Sequence, residues 1–138
     1  HGSITSLYTV LAEGDDAQDP VVDIARASLD GQVMLSRRLA DEAHYPAIDL
    51  NGSISRVMQH LLSPQDWMLA SRMRRLWSLY QQNAELIQVG AYQHGSNPEI
   101  DEAIRVHERL KAFLQQDMNE RVDMDYTRAL ITHLQEPA

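Results

Sequence analysis

Three times in this chain a capping residue is followed at once by proline, as Asp19-Pro20, Ser63-Pro64 and Asn97-Pro98. A short polar side chain can accept hydrogen bonds from the free N–H groups of a first helical turn. Proline at the next position has no N–H to lose and a preset φ, so each pair fixes a helix start. After Pro20, the residues Val21, Ile24, Ala25 and Leu29 recur on one face before Gly31. After Pro64, the apolar stripe Trp67, Leu69, Ala70, Met73, Leu76, Trp77 and Tyr80 predicts a long amphipathic helix, broken by Gly90 and the turn His94-Gly95-Ser96-Asn97-Pro98. After Pro98, Ile100, Ala103, Ile104, Leu110, Phe113 and Leu114 line the next face, and a last helix is expected from near Asp123 to Leu134.

Ahead of the second capping pair the pattern is different. Ile4 to Leu11 reads ITSLYTVL, rich in β-branched residues and bounded by Gly2 and the run GDDAQDP, which predicts a buried strand. A strand so placed, with no partner before it, is what a cut through a larger α/β domain would leave. Gln32 to Leu35 predicts a second strand. Ser36 caps a helix through Ala43 that the extended segment His44-Tyr45-Pro46 ends. Beyond Asn51 the expectation is helix throughout. The boundary falls near residues 59 to 63, giving an α+β chain with an α/β piece at 1–60 and a helical bundle at 61–138.

At 138 residues the chain can bury roughly two-thirds of its unfolded surface. Its 43% hydrophobic and 23% charged residues are those of a globular domain. The net charge of -8 argues against a nucleic-acid partner, which would need clustered lysine and arginine. No apolar run approaches the roughly twenty residues of a membrane span and no secretory signal is apparent, so a soluble, cytoplasmic chain is expected. With no cysteine, and six histidines that never fall at ligand spacing on one helical face, no metal site is expected. Asp15, Asp16 and Asp19 lack the ligand ladder of a calcium loop and are read as a turn and a cap. Arg37-Arg38 and Arg72, Arg74 and Arg75 are read as solvated faces, one of which could meet a neighbouring subunit.

Four segments in this order carry a resemblance: GSITSLYTVLAEGDD (2–16), DGQVMLSRRLA (30–40), HYPAIDLNGSISRVM (44–58) and VGAYQHGSNPEIDEAI (89–104). Together they resemble the C-terminal part of the flagellar and type III secretion export ATPases, relatives of the rotary F-type ATP synthase catalytic subunits. The resemblance implies that residues 1–60 are the remnant of a RecA-like nucleotide-binding domain and that the parent is a ring, a homohexamer, hydrolysing ATP with Mg2+ to energise protein export. It implies that Arg56 in SISRVM is the family's arginine finger, reaching a neighbour's nucleotide. Phosphoryl transfer spreads negative charge over the transferred oxygens, a role suited to a permanently charged guanidinium.

Tyr45 in HYPAID matches an aromatic that stacks on adenine, and a core tyrosine is the other reading. Where relatives close that pocket with aromatics, this chain has Met118 and Met124. Gly90 to Asp101 matches a loop that touches the central stalk. Glu99, Asp101 and Glu102 would offer charge to a basic coiled coil, or merely suit a first helical turn. Export chaperones and substrates, and peripheral contact with the membrane export apparatus, are the other partners implied. No GxxxxGK[ST] occurs, so the phosphate loop is expected upstream of residue 1 and the isolated chain is expected to be inactive. The alternative is a stand-alone helical module that binds chaperones, substrates or the stalk without catalysis.

Overall fold

The computed structural model describes residues 2–11 and 19–134. The elements run α1 (Pro20–Ser28), β1 (Gly31–Leu35), α2 (Arg37–Asp41), β2 (Ile48–Ser55), α3 (Met58–Leu61), α4 (Pro64–Gln88), α5 (Pro98–Leu114) and α6 (Met124–His133). Each of the three cap–proline pairs opens a helix. Asp19 accepts from the Val21 N–H, Ser63 from Asp66, and Asn97 from both Glu99 and Ile100. Ser36 and Asp123 cap α2 and α6 in the same way.

Two expectations are corrected. Residues 2–11 adopt no regular secondary structure, and Ile4, Leu7 and Leu11 are more than nine-tenths exposed. The sheet is the antiparallel pair β1–β2. Neither strand offers its free edge to this segment, and a lone strand leaves its own backbone unpaired. The turn at residues 12–18, with Asp15 and Asp16, lies outside the described residues. The second correction is at Asn51, where the chain does not turn helical: β2 continues to Ser55 and a single turn, α3, precedes α4.

β2 is interrupted rather than regular. Gln32 pairs with Ile54 and Met34 with Asp49, so Leu50 to Ser53 bulge out opposite one β1 residue. Side chains close the gap. The Ser53 hydroxyl accepts from the Met34 N–H at 2.9 Å and donates to the Asp49 carbonyl at 2.6 Å. The Asp49 carboxylate accepts from the Asn51 N–H, and the Gln32 amide donates to the Gly52 carbonyl. A Cβ at Gly52 would lie 2.8 Å from the Asp49 carboxylate, so a side chain there would displace the carboxylate that accepts from the Asn51 N–H.

The core lies between α4 and α5. Leu76, Trp77, Ala103, Val106 and Leu110 are buried, with Met73, Leu79, Tyr80, Leu114 and Leu134 packed around them and Leu50 reaching in from the bulge. Ala103 is fully buried, and its small side chain lets the helices approach. Along the α4 stripe Trp67 is exposed, Leu69, Ala70 and Met73 are half-buried, and Leu76 and Trp77 are buried.

Two histidines line this core. His107 of α5 stacks on Tyr80 (ring centroids 3.4 Å apart) and on Trp77 (5.2 Å), and His44 after α2 tilts against Trp77 at 6.5 Å. The His107 Nδ1 is buried with no hydrogen-bond partner among the described residues. Burial pushes both pKa values below the ordinary 6.5, first by desolvating the imidazolium. At His44 the Lys111 charge adds to this and Glu42 opposes it, while at His107 Glu108 opposes and Lys111 adds. A histidine whose folded pKa is lowered binds protons more readily when unfolded. Stability is therefore complete above the unfolded value and declines as pH falls through about 6.5 toward the folded values. The urea midpoint is expected to be lower at pH 5.5 than at pH 7.5, and the His107→Phe variant to show a smaller difference; an equal or higher midpoint at pH 5.5 would contradict this.

Candidate functional site

Arg56 follows directly on the last residue of β2. Its N–H donates to the Asp30 carbonyl at 2.8 Å, so the turn between α1 and β1 fixes its backbone. The side chain is exposed, and its guanidinium donates to the Arg26 carbonyl in the last turn of α1 at 3.3 Å. Among the described residues no carboxylate pairs with it. By contrast Arg38, Arg72, Arg75 and Arg128 all do so with carboxylates. A guanidinium held only by one long bond to a main-chain carbonyl keeps most of its five donors for something else.

Tyr45 stands at the other end of the same segment. It follows the buried His44, and its peptide bond to Pro46 is cis. Its ring is 56% exposed, and the hydroxyl donates to the Ala40 carbonyl at 3.3 Å, laying the ring along α2. Its carbonyl accepts from the Gln116 N–H at 3.0 Å, which brings the segment after α5 beside it. Met118 belongs to that segment and is 93% exposed, and Met124 at the start of α6 is 62% exposed. The structure thus places Tyr45 and the Met118 segment together on an open surface. Among the described residues no hydrogen bond joins Met124 to them.

The acidic start of α5 is engaged within the chain. Arg75 holds both Glu99 carboxylate oxygens at 2.7 Å, and Arg72 pairs with Glu102. Asp101 accepts from the Tyr92 hydroxyl and the Gly95 N–H and lies 2.9 Å from the His94 Nδ1, so it organises the loop between α4 and α5. Gly95 sits at φ +90°, a conformation that L residues rarely adopt. Within the chain these three acids hold the α4–α5 hairpin and its loop in shape.

Arg72 and Arg75 are exposed, and the reading of the three arginines as solvated faces is corrected at Arg74. Arg74 is half-buried and donates to the carbonyls of Asn51 (3.2 Å) and Ser53 (2.6 Å) in the bulge. Its spacing held the signal. Arg74 lies three residues before the buried Trp77, on the same helical face, where a long cation needs a partner.

Residues 62–133, just over half of the chain, match the family described as the T3SS EscN ATPase C-terminal domain. The chain belongs to the type III secretion ATPase family. In this export-ATPase chain, residues 1–55 match the nucleotide-binding domain of the ATP synthase alpha/beta family. The chain is 52% identical over 124 residues to the "Flagellum-specific ATP synthase" of Salmonella typhimurium, which covers 90% of this chain and 27% of that protein. Among solved structures it is similar to the assembled ATPase EscN from the enteropathogenic E. coli type III secretion system, with a TM-score of 0.92 and 36% identity over 96% of this chain and 32% of EscN. EscN in complex with its central stalk EscO is also similar, with a TM-score of 0.79 and 33% identity over 83% of this chain and 28% of that one. The chain thus spans about three-tenths of the length of these relatives. No helix among the described residues is long and apolar enough to cross a membrane.

Proposed function

We propose that this chain is the C-terminal part of a ring-forming ATPase, a homohexamer, that hydrolyses ATP to energise protein export. Arg56 acts as an arginine finger on the nucleotide of the neighbouring subunit, and Tyr45 lies against the adenine of its own. The observation that carries this reading is the presentation of Arg56: an exposed guanidinium, fixed at its backbone, with no carboxylate among the described residues to neutralise it. Arg72 and Arg75, by contrast, are neutralised by carboxylates of their own chain.

Flat and more than half exposed, the Tyr45 ring fits one face of a base. Met118, on the segment hydrogen-bonded to Tyr45, can close loosely over the other side, and Met124 is the second candidate for that role. Mg2+ accompanies ATP in such chemistry. Among the described residues no cluster of acids or histidines could hold it, so the metal ligands and the phosphate loop are assigned to the part of the parent that precedes this chain. The isolated chain is accordingly inactive. The α4–α5 hairpin with its Asp101-bound loop is assigned to a coiled-coil stalk, in keeping with the EscN–EscO complex. Export chaperones, export substrates and a peripheral contact with the membrane apparatus complete the proposed partners.

Stacking of a base on an aromatic ring is worth ~1–3 kcal/mol, so Tyr45→Ala in the full-length enzyme is expected to raise the KM for ATP about fivefold or more. Its kcat should be largely kept, because the adenine is held equally in ground and transition states. An unchanged KM would remove Tyr45 from the nucleotide site.

A further inference from the structure

We propose that Arg74 is a positioning residue for the arginine finger, clamping the β2 bulge to the helical bundle so that Arg56 leaves the strand in a fixed direction. This rests on the reading of Arg56 given above. The geometry runs in one line. The Arg74 guanidinium, projecting from α4, takes the carbonyls of Asn51 and Ser53, residues 51 and 53 of a segment in which Arg56 follows three positions later. Those carbonyls lie in the bulge, where the β1–β2 ladder is broken and the strand's own pairing cannot hold them. Leu50, from the same bulge, enters the α4–α5 core. The finger's strand is therefore anchored at one end by a cation on α4 and at the other by the Asp30 carbonyl that receives the Arg56 N–H.

The same helix grips α5 through the arginines on either side. Arg72 and Arg75 hold Glu102 and Glu99, so three arginines within four positions of α4 tie the bulge and the α5 start to one rigid element. One nitrogen of the Arg74 guanidinium serves both carbonyls, and the planar group fixes the direction of its N–H bonds, which a freely rotating ammonium on a shorter stem does not.

The test is a double-mutant cycle in the full-length enzyme. Arg74→Met keeps the stem and removes the donors. Its kcat is expected to fall on the order of 10²-fold, the size of effect that a misplacement of about 1 Å produces, with the KM for ATP nearly unchanged. The decisive readout is the combination with Arg56→Ala. If Arg74 acts through the finger, the double variant is no slower than Arg56→Ala alone. Arg74→Lys, which keeps the charge and N–H donors on a shorter and freely rotating group, is expected to fall between wild type and Arg74→Met, and it serves as the readout if Arg74→Met fails to unfold cooperatively. Losses that multiply in the double variant, or an Arg74→Lys enzyme as fast as wild type, would overturn the positioning role. Wild-type turnover in Arg56→Ala itself would instead remove the finger reading, which keeps the two failures distinguishable.

Discussion

In the full-length enzyme, Arg56→Ala is expected to lower ATP turnover by about 10³ to 10⁵, the worth of arginine fingers in other nucleotide triphosphatases. The loss should appear in kcat. A guanidinium arriving from outside meets charge that develops on the transferred phosphoryl group, so it stabilises the transition state more than bound ATP. Nucleotide affinity, measured by equilibrium binding, should be largely kept. The fold is not at risk, because Arg56 is exposed and its structural bond to Asp30 is made by the main-chain N–H, which alanine retains. Arg56→Lys should recover little, since one ammonium cannot reproduce a planar fork of donors. Unchanged turnover in Arg56→Ala would remove the assignment.

The second large effect is on stability. Trp77 is 6% exposed, stacks on His107, touches His44 and belongs to the central cluster with Leu76, Ala103, Val106 and Leu110. Trp77→Ala is expected to cost about 3–5 kcal/mol, the usual range for emptying a buried aromatic site. Domains of this size are stable by about 5–15 kcal/mol, so the variant should be marginally folded. The loss should show as a lower urea midpoint with an unchanged slope, and Trp77→Phe should lose less. A midpoint within error of wild type in Trp77→Ala would mean that the α4–α5 core is not where the stability lies.

Helix starts were the most legible feature of the sequence, because a cap and a following proline act locally. Asp19, Ser36, Ser63, Asn97 and Asp123 each accept from the first-turn N–H groups as their spacing implies. β2 was illegible for the opposite reason. Asp49-Leu50-Asn51-Gly52-Ser53 looks like a turn because it is a bulge, and only the side-chain bonds of Ser53 and Asp49 show that the strand resumes at Ile54. The segment at 4–11 carries strand propensity, but propensity does not supply a pairing partner.

At the site, Arg56 and Tyr45 could be named from their flanking motifs, and the structure finds both exposed. For Arg74 the spacing from Trp77 marks a cation in need of a partner but not which one, because its two acceptors are main-chain carbonyls more than twenty positions away. The pairing of Glu99 and Glu102 with Arg75 and Arg72 was hidden likewise, since it depends on how α4 and α5 lie together.

The claim on which the rest depends is that Arg56 serves the neighbouring subunit's ATP. Subunits carrying Arg56→Ala, inactive by themselves, would be mixed with subunits whose phosphate-loop lysine is replaced, also inactive, and steady-state phosphate release measured after reassembly. Action in trans predicts that mixed rings regain turnover, because an intact loop then faces an intact finger across some interfaces. A mixture as inactive as its two components, with mixed rings demonstrated, would show that Arg56 does not act across the interface.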